Sequence, residues 1–186
     1  MRLLLIPCAC LALAACHKPA QQAANEAAPT AQAGPVKGVD HGHKGKPAPD
    51  ATFNDPEGNQ TSLAEFSGKP MLVNLWATWC APCVKELPTL DRLSGAKRIT
   101  VVAVSQDSGP HASVEAFLGS HKIVNLASYQ DPKESLSGAL GPDTVLPTTI
   151  LYDGQGKEVW RYVGDLDWTS PAAARLIAEG AASQER

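Results

Sequence analysis

Trp79-Cys80-Ala81-Pro82-Cys83 places two thiols with two residues between them. At that spacing one helical turn brings the second sulfur close enough to close a disulfide without rearranging the backbone. Thiol–disulfide exchange needs a thiolate, and a helix N-terminus stabilises one through its free N–H groups and its dipole. Cys80, at the start of the helix predicted below, is therefore the candidate nucleophile and is expected at the surface; Cys83 is the candidate resolving thiol. Reduced Cys80 attacks a substrate disulfide, a mixed disulfide forms, and Cys83 displaces the reduced substrate. Run backwards, the same steps oxidise a dithiol. Pro82 restricts the turn and lacks an N–H, which suits an early helical position.

The elements around this pair must supply that helix start. Met71 to Trp76 is an apolar run broken only by Asn74, the pattern of a strand buried on both faces. Val84, Leu87, Leu90 and Leu93 then form a helical stripe with Pro88 inside it. Upstream, Thr52-Phe53-Asn54 and Gln60-Thr61-Ser62 flank the turn signal Asp55-Pro56-Glu57-Gly58, which predicts a hairpin. Downstream, Ile99 to Val104 reads as a second buried strand, Val114 to Leu118 as a helix, Leu126 to Tyr129 as a short strand and Glu134 to Leu140 as a short helix. Thr148 to Tyr152 and Glu158 to Val163 form strands joined at Asp153-Gly154-Gln155-Gly156. Ser170-Pro171 opens a last helix to Glu179. A hairpin followed by βαβαβαββα is an α/β sandwich with parallel members and a closing antiparallel hairpin. A pair of cysteines at a strand-to-helix junction reads poorly as half a zinc site, which needs four ligands, or as a purely structural disulfide.

The 186 residues leave room for one domain with appendages. A net charge of −3 with no basic stripe excludes a nucleic-acid footprint. Met1-Arg2 followed by the apolar run Leu3 to Ala15 is too short to span a bilayer and suits a signal peptide, residues 1–15. Its end, Leu13-Ala14-Ala15-Cys16, resembles the lipobox of bacterial lipoproteins. That resemblance implies cleavage before Cys16 and lipidation of its sulfur; the other reading is an ordinary signal peptide. Cys8 and Cys10 leave with the peptide, so Cys80 and Cys83 remain as an even free pair suited to an oxidising compartment. Residues 16–46, rich in Ala, Gln, Gly and Pro, read as the lipidated cysteine and a disordered tether. Residues 47–186 read as the folded domain.

Val73-Asn74-Leu75-Trp76-Ala77-Thr78-Trp79-Cys80-Ala81-Pro82-Cys83, followed by Lys85-Glu86-Leu87-Pro88, resembles the TlpA/ResA/DsbE branch of the thioredoxin-like superfamily over residues 47–180. The resemblance implies a thioredoxin-like fold with an N-terminal β-hairpin and an inserted helix–strand element. It implies an extracytoplasmic, membrane-anchored thiol–disulfide oxidoreductase that reduces protein disulfides, in cytochrome c maturation or periplasmic thiol repair. The partners it implies are protein dithiols and disulfides, a membrane electron donor of the DsbD/CcdA type and, through Cys16, the membrane. A monomer with no cofactor and no metal is expected. His17 after the lipidated cysteine leaves inner and outer membrane open.

Three positions carry over one by one. Pro147 matches the cis-proline that faces the active-site disulfide, and Leu146 before it would present backbone groups to an extended substrate. Glu86, one helical turn beyond Cys83, matches a glutamate that tunes thiol reactivity; its other reading is a solvated helix charge. Asn74 stands where thioredoxin carries a buried aspartate, so that proton-accepting role is vacant or falls to Glu86. Trp79 reads equally as a shield for the disulfide and as a packing residue. The alternative from another class is a copper metallochaperone using His41 and His43, although His111 and His121 lie elsewhere in the pattern. The proline spacing of a peroxiredoxin pocket is missing before Cys80.

Overall fold

The structure is a computed structural model that describes residues 37–182 apart from residue 143. The expected signal peptide, Cys16 and most of the expected tether lie outside the described residues. No helix among the described residues is long and apolar enough to cross a membrane.

At the centre stands β4 (Met71–Trp76), all six residues buried. It pairs in parallel with β5 (Thr100–Ser105) on one side and antiparallel with β7 (Thr148–Tyr152) on the other. A strand walled on both edges and both faces has no polar positions to alternate with, which is why its sequence is an unbroken apolar run but for Asn74. The sheet continues from β7 to β8 (Glu158–Val163) and from β5 to β6 (Tyr129–Gln130). The hairpin of β2 (Thr52–Asn54) and β3 (Gln60–Ser62) extends it beyond β6, and Leu63–Phe66 adds a 3-10 turn. With β1 (Gly38–Asp40) on the opposite edge, the order is β1-β8-β7-β4-β5-β6-β2-β3.

β1 corrects the expected extent of the tether. Gly38, Val39 and Asp40 pair antiparallel with Val163, Tyr162 and Arg161, and the Lys46 carbonyl accepts from the Glu158 N–H at 2.8 Å. The segment carries no alternating apolar pattern because an exposed edge strand is held by its backbone ladder, not by side-chain burial.

Among the described residues four helices cover the sheet: α1 (Ala81–Gly95), α2 (His111–Ser120), α3 (Ser135–Leu140) and α4 (Pro171–Ala182). Two apolar clusters result. One packs Leu87, Leu90, Val114, Leu118, Trp160 and Trp168 against the sheet; the other joins Phe53, Leu63, Val73, Val104, Leu136 and Ile150 on the opposite face. The predicted α/β sandwich, its inserted α2–β6 element and the Ser170 cap of α4, whose Oγ accepts from the Ala173 N–H at 3.2 Å, are all present. The architecture is a thioredoxin-like fold.

Candidate active site

β4 ends at Trp76, and the chain turns through Ala77, Thr78 and Trp79 before α1 begins. Asp107, just past β5, holds that turn: its Oδ2 accepts from the Thr78 N–H at 3.0 Å and its Oδ1 from the Thr78 hydroxyl at 2.7 Å. The Ser105 hydroxyl donates to Asp107 Oδ2 at 2.7 Å and keeps the carboxylate aimed. The chain therefore delivers Cys80 to the N-cap of α1 in an extended conformation (φ −90°, ψ 96°), with Pro82 in the first turn where its missing N–H has no partner to lose. The Cys80 carbonyl accepts the first helical bond, from the Val84 N–H at 3.0 Å.

Cys80 and Cys83 are joined by a disulfide, with their Cα atoms 5.3 Å apart. Cys80 was expected at the surface, yet it is only 6% exposed and Cys83 is fully covered. Cys80 lines a groove of about 510 Å³ together with Trp79, Pro82, Val145 and Leu146. Trp79 is 69% exposed, so it walls the groove and does not pack in the core. The Leu146–Pro147 bond is cis. The Pro147 carbonyl accepts from the Gly164 N–H at 2.9 Å, which ties the proline loop to the segment after β8.

Glu86 is no solvated helix charge. It is 2% exposed and faces inward from α1. Its Oε1 accepts from Asn74 Nδ2 at 2.8 Å, and its Oε2 accepts from the Leu166 N–H at 3.1 Å and from Trp168 Nε1 at 3.0 Å. Burial pushes its carboxyl up to about 7, against the pull of the donors from Trp168, Asn74 and Leu166. Asn74 Nδ2 also donates to the Thr149 hydroxyl at 2.9 Å. The departure from aspartate at position 74 thus has a physical reason. An amide donates to the buried carboxylate, whereas a second carboxylate there would repel it.

Sequence reasoning missed the far side of this network. Leu166 and Trp168 stand 80 and 82 residues beyond Glu86 and reach it only because the segment after β8 folds back over α1. The Trp168 N–H donates to the Thr89 hydroxyl at 3.1 Å, and Asp165 takes Lys37 at 2.6 Å and Lys85 at 2.9 Å. Those two ammonium groups hold Asp165 down, at about 2. The one signal present in sequence was a tryptophan following a polar loop; nothing in its spacing named its partner. Asp107 was likewise unflagged.

His41 and His43 lie beside β1, three strands from β4 in the sheet. His41 Nδ1 is 3.4 Å from the Val159 carbonyl, and His43 Nδ1 is 3.6 Å from Asp40. His111 meets the Ser128 carbonyl, and His121 stacks on Phe117. The structure gathers none of these imidazoles around the cysteines.

A site with these parts can do one kind of chemistry well: exchange of a disulfide between Cys80–Cys83 and a sulfur presented in the groove. Known proteins agree. The family model Redoxin matches residues 43–177. Thiol-disulfide oxidoreductase ResA of Bacillus thuringiensis is 32% identical over 124 residues, covering 65% of this chain and 70% of that protein. Thiol:disulfide interchange protein DsbE of Xylella fastidiosa is 32% identical over 126 residues, covering 66% and 62%. Among solved structures, the thioredoxin domain of a thiol-disulfide oxidoreductase from Bacteroides vulgatus superposes with a TM-score of 0.58 at 28% identity, covering 72% of this chain and 97% of that one. The chain belongs to the Redoxin family and, within it, is a thiol–disulfide oxidoreductase of the ResA/DsbE type.

Proposed function

We propose that the protein works outside the cytoplasm as a membrane-anchored reductant of protein disulfides. The observation that carries this reading is the Cys80–Cys83 pair at the β4–α1 junction, with Cys80 lining a groove and Cys83 fully buried. In the reduced protein the Cys80 thiolate, stabilised by the start of α1, attacks one sulfur of the substrate disulfide and releases the other as a thiolate. Cys83 then attacks Cys80 Sγ, closing the intramolecular disulfide and expelling the second substrate thiolate. Two electrons pass to the substrate. Glu86, one turn beyond Cys83 and with a carboxyl that titrates near neutrality, takes the Cys83 proton as that thiol becomes a nucleophile. The Leu146–Pro147 loop holds the substrate chain across the groove.

The relatives named thiol-disulfide oxidoreductase ResA and thiol:disulfide interchange protein DsbE support the exchange chemistry, and cytochrome c maturation or thiol repair is the setting that the family resemblance implies. A DsbD/CcdA-type membrane donor would return the electrons, and lipid on Cys16 would keep the protein, as a monomer, at the membrane. An insulin reduction assay tests the chemistry. Cys80→Ser is expected to abolish turnover, and Cys83→Ser to accumulate a mixed disulfide on Cys80 visible by mass spectrometry. Turnover that survives in Cys80→Ser would remove the proposal, and a strongly oxidising potential against glutathione would reverse its direction.

A further inference from the structure

The groove in front of Cys80 carries two polar side chains that the exchange chemistry does not use. Gln106, just past β5, is 4% exposed. Its main-chain N–H is taken by the Trp76 carbonyl at 2.8 Å, and its Nε2 makes a long 3.4 Å contact with the Val104 carbonyl. Its Oε1 is buried with no partner. Thr144, in the loop that leads into the cis-proline, has a buried hydroxyl that also lacks one. Both residues line the same groove as Cys80 and Trp79.

A buried polar atom without a partner lowers stability, and natural proteins keep few of them. Two in one groove, which Cys80 also lines, are retained where a ligand supplies the missing bonds. Their chemistry defines that ligand. An amide oxygen only accepts, so Gln106 calls for an N–H; a hydroxyl can donate, so Thr144 calls for a carbonyl. An extended polypeptide offers both along one edge, and a small-molecule disulfide without amides offers neither. Trp79, Val145 and Leu146 give the groove apolar walls for a side chain next to the substrate's cystine. Glu134, the one charged residue among the described residues that line it, disfavours an acidic residue there.

We propose that Gln106 and Thr144 bind the backbone of an extended substrate segment beside its cystine, and so select disulfides embedded in polypeptides over small disulfides. The proposal rests on the disulfide reductase reading above. Both oxygens are buried in residues that line the groove, so side-chain rotation would bring them to the substrate.

The test compares kcat/KM for a cystine-bridged peptide, its analogue N-methylated on the amides flanking the cysteine, and diethyl disulfide, which carries no N–H, O–H or carbonyl. In Gln106→Leu the ratio of peptide to small-disulfide kcat/KM is expected to fall about tenfold, the worth of one hydrogen bond, mainly through KM. Thr144→Val should lower the same ratio several-fold. N-methylation should lower the ratio in the natural protein and add nothing in Gln106→Leu, because both changes remove one contact. Tm should hold or rise in Gln106→Leu, since an apolar side chain replaces an unsatisfied acceptor. An unchanged ratio in both variants, or equal losses on peptide and small disulfide, would overturn the proposal. Failure of the natural protein to reduce any of the three would instead remove the reductase reading beneath it.

Discussion

Two glutamates are buried among the described residues, and their surroundings are opposite. Glu158 on β8 is 3% exposed and takes a two-pronged bond from Arg161, Nε to Oε1 at 2.8 Å and Nη2 to Oε2 at 2.9 Å. Glu86 on α1 is 2% exposed and bonds no cation; an amide, an indole and one main-chain N–H are its partners. A guanidinium pairs the charge of a buried carboxylate and satisfies both of its oxygens. Neutral donors compensate burial only in part, so the Glu86 carboxyl moves to about 7 and can gain or lose a proton under working conditions. The same residue type, equally covered, bonds a guanidinium at one position and only neutral donors at the other. The difference lies in one missing positive charge.

Breaking the scaffold pair gives the largest effect. Arg161→Leu leaves the Glu158 carboxylate buried and unpaired, which is expected to lower stability by about 3–5 kcal/mol. In a domain of this size that is a Tm drop of roughly 10 °C by calorimetry. Adding Glu158→Leu should recover most of it, because well-packed apolar residues replace an ion pair at little loss. The contrast with Glu86 collapses if Arg161→Leu leaves Tm unmoved.

Removing the charge from the other glutamate gives a smaller effect whose pH dependence identifies it. Glu86 has a folded-state pKa above its unfolded value, so the folded protein binds the extra proton. The associated destabilisation is absent below about 4.5, grows as pH rises through the interval, and is complete above about 7. Glu86→Gln carries no titration there. Denaturant midpoints followed from pH 4 to 8 should show the natural protein losing on the order of 3 kcal/mol relative to the variant across that interval. In turnover, Glu86→Gln should slow the step in which Cys83 acts by about a hundredfold and erase the inflection near pH 7. Parallel stability curves would show that Glu86 does not titrate in this window.

How much of this contrast was legible in sequence follows from where each partner lies. The cysteine pair, the buried β4 and the helix start after it were readable because they are local: period, spacing and a strand-to-helix handover within about fifteen residues. Glu86 was readable as a neighbour of Cys83 through its spacing of three, but spacing gives a direction on a helix and not what covers it. Its burial depends on the segment carrying Leu166 and Trp168, which arrives after β8 through non-local packing. β1 was missed for a related reason, since Gly38–Asp40 is held by backbone pairing alone. Asp91 shows the same limit. Its sequence spacing says nothing of its partners, and its buried carboxylate accepts from the main-chain N–H groups of Val124, Asn125 and Leu126.

The finest sharpening of the comparison removes one donor from Glu86 and leaves the carboxylate in place. Trp168 is 1% exposed; its ring lies parallel to Trp160 at 6.4 Å and edge-on to Tyr162 at 6.1 Å, and only its Nε1 reaches Glu86. Trp168→Phe keeps an aromatic ring in that stack and deletes the N–H. A donor to the ionised carboxylate favours its charged form, so losing it should raise the Glu86 pKa further and move the inflection in the pH–rate profile about one unit to the alkaline side. The loss of ring area lowers stability at every pH, whereas the lost donor adds a deficit only where Glu86 is ionised. The two contributions therefore separate in a pH series of denaturant midpoints. An inflection that stays in place would mean that Trp168 serves packing alone, and that Asn74 and the Leu166 N–H suffice to set the proton affinity of this carboxyl.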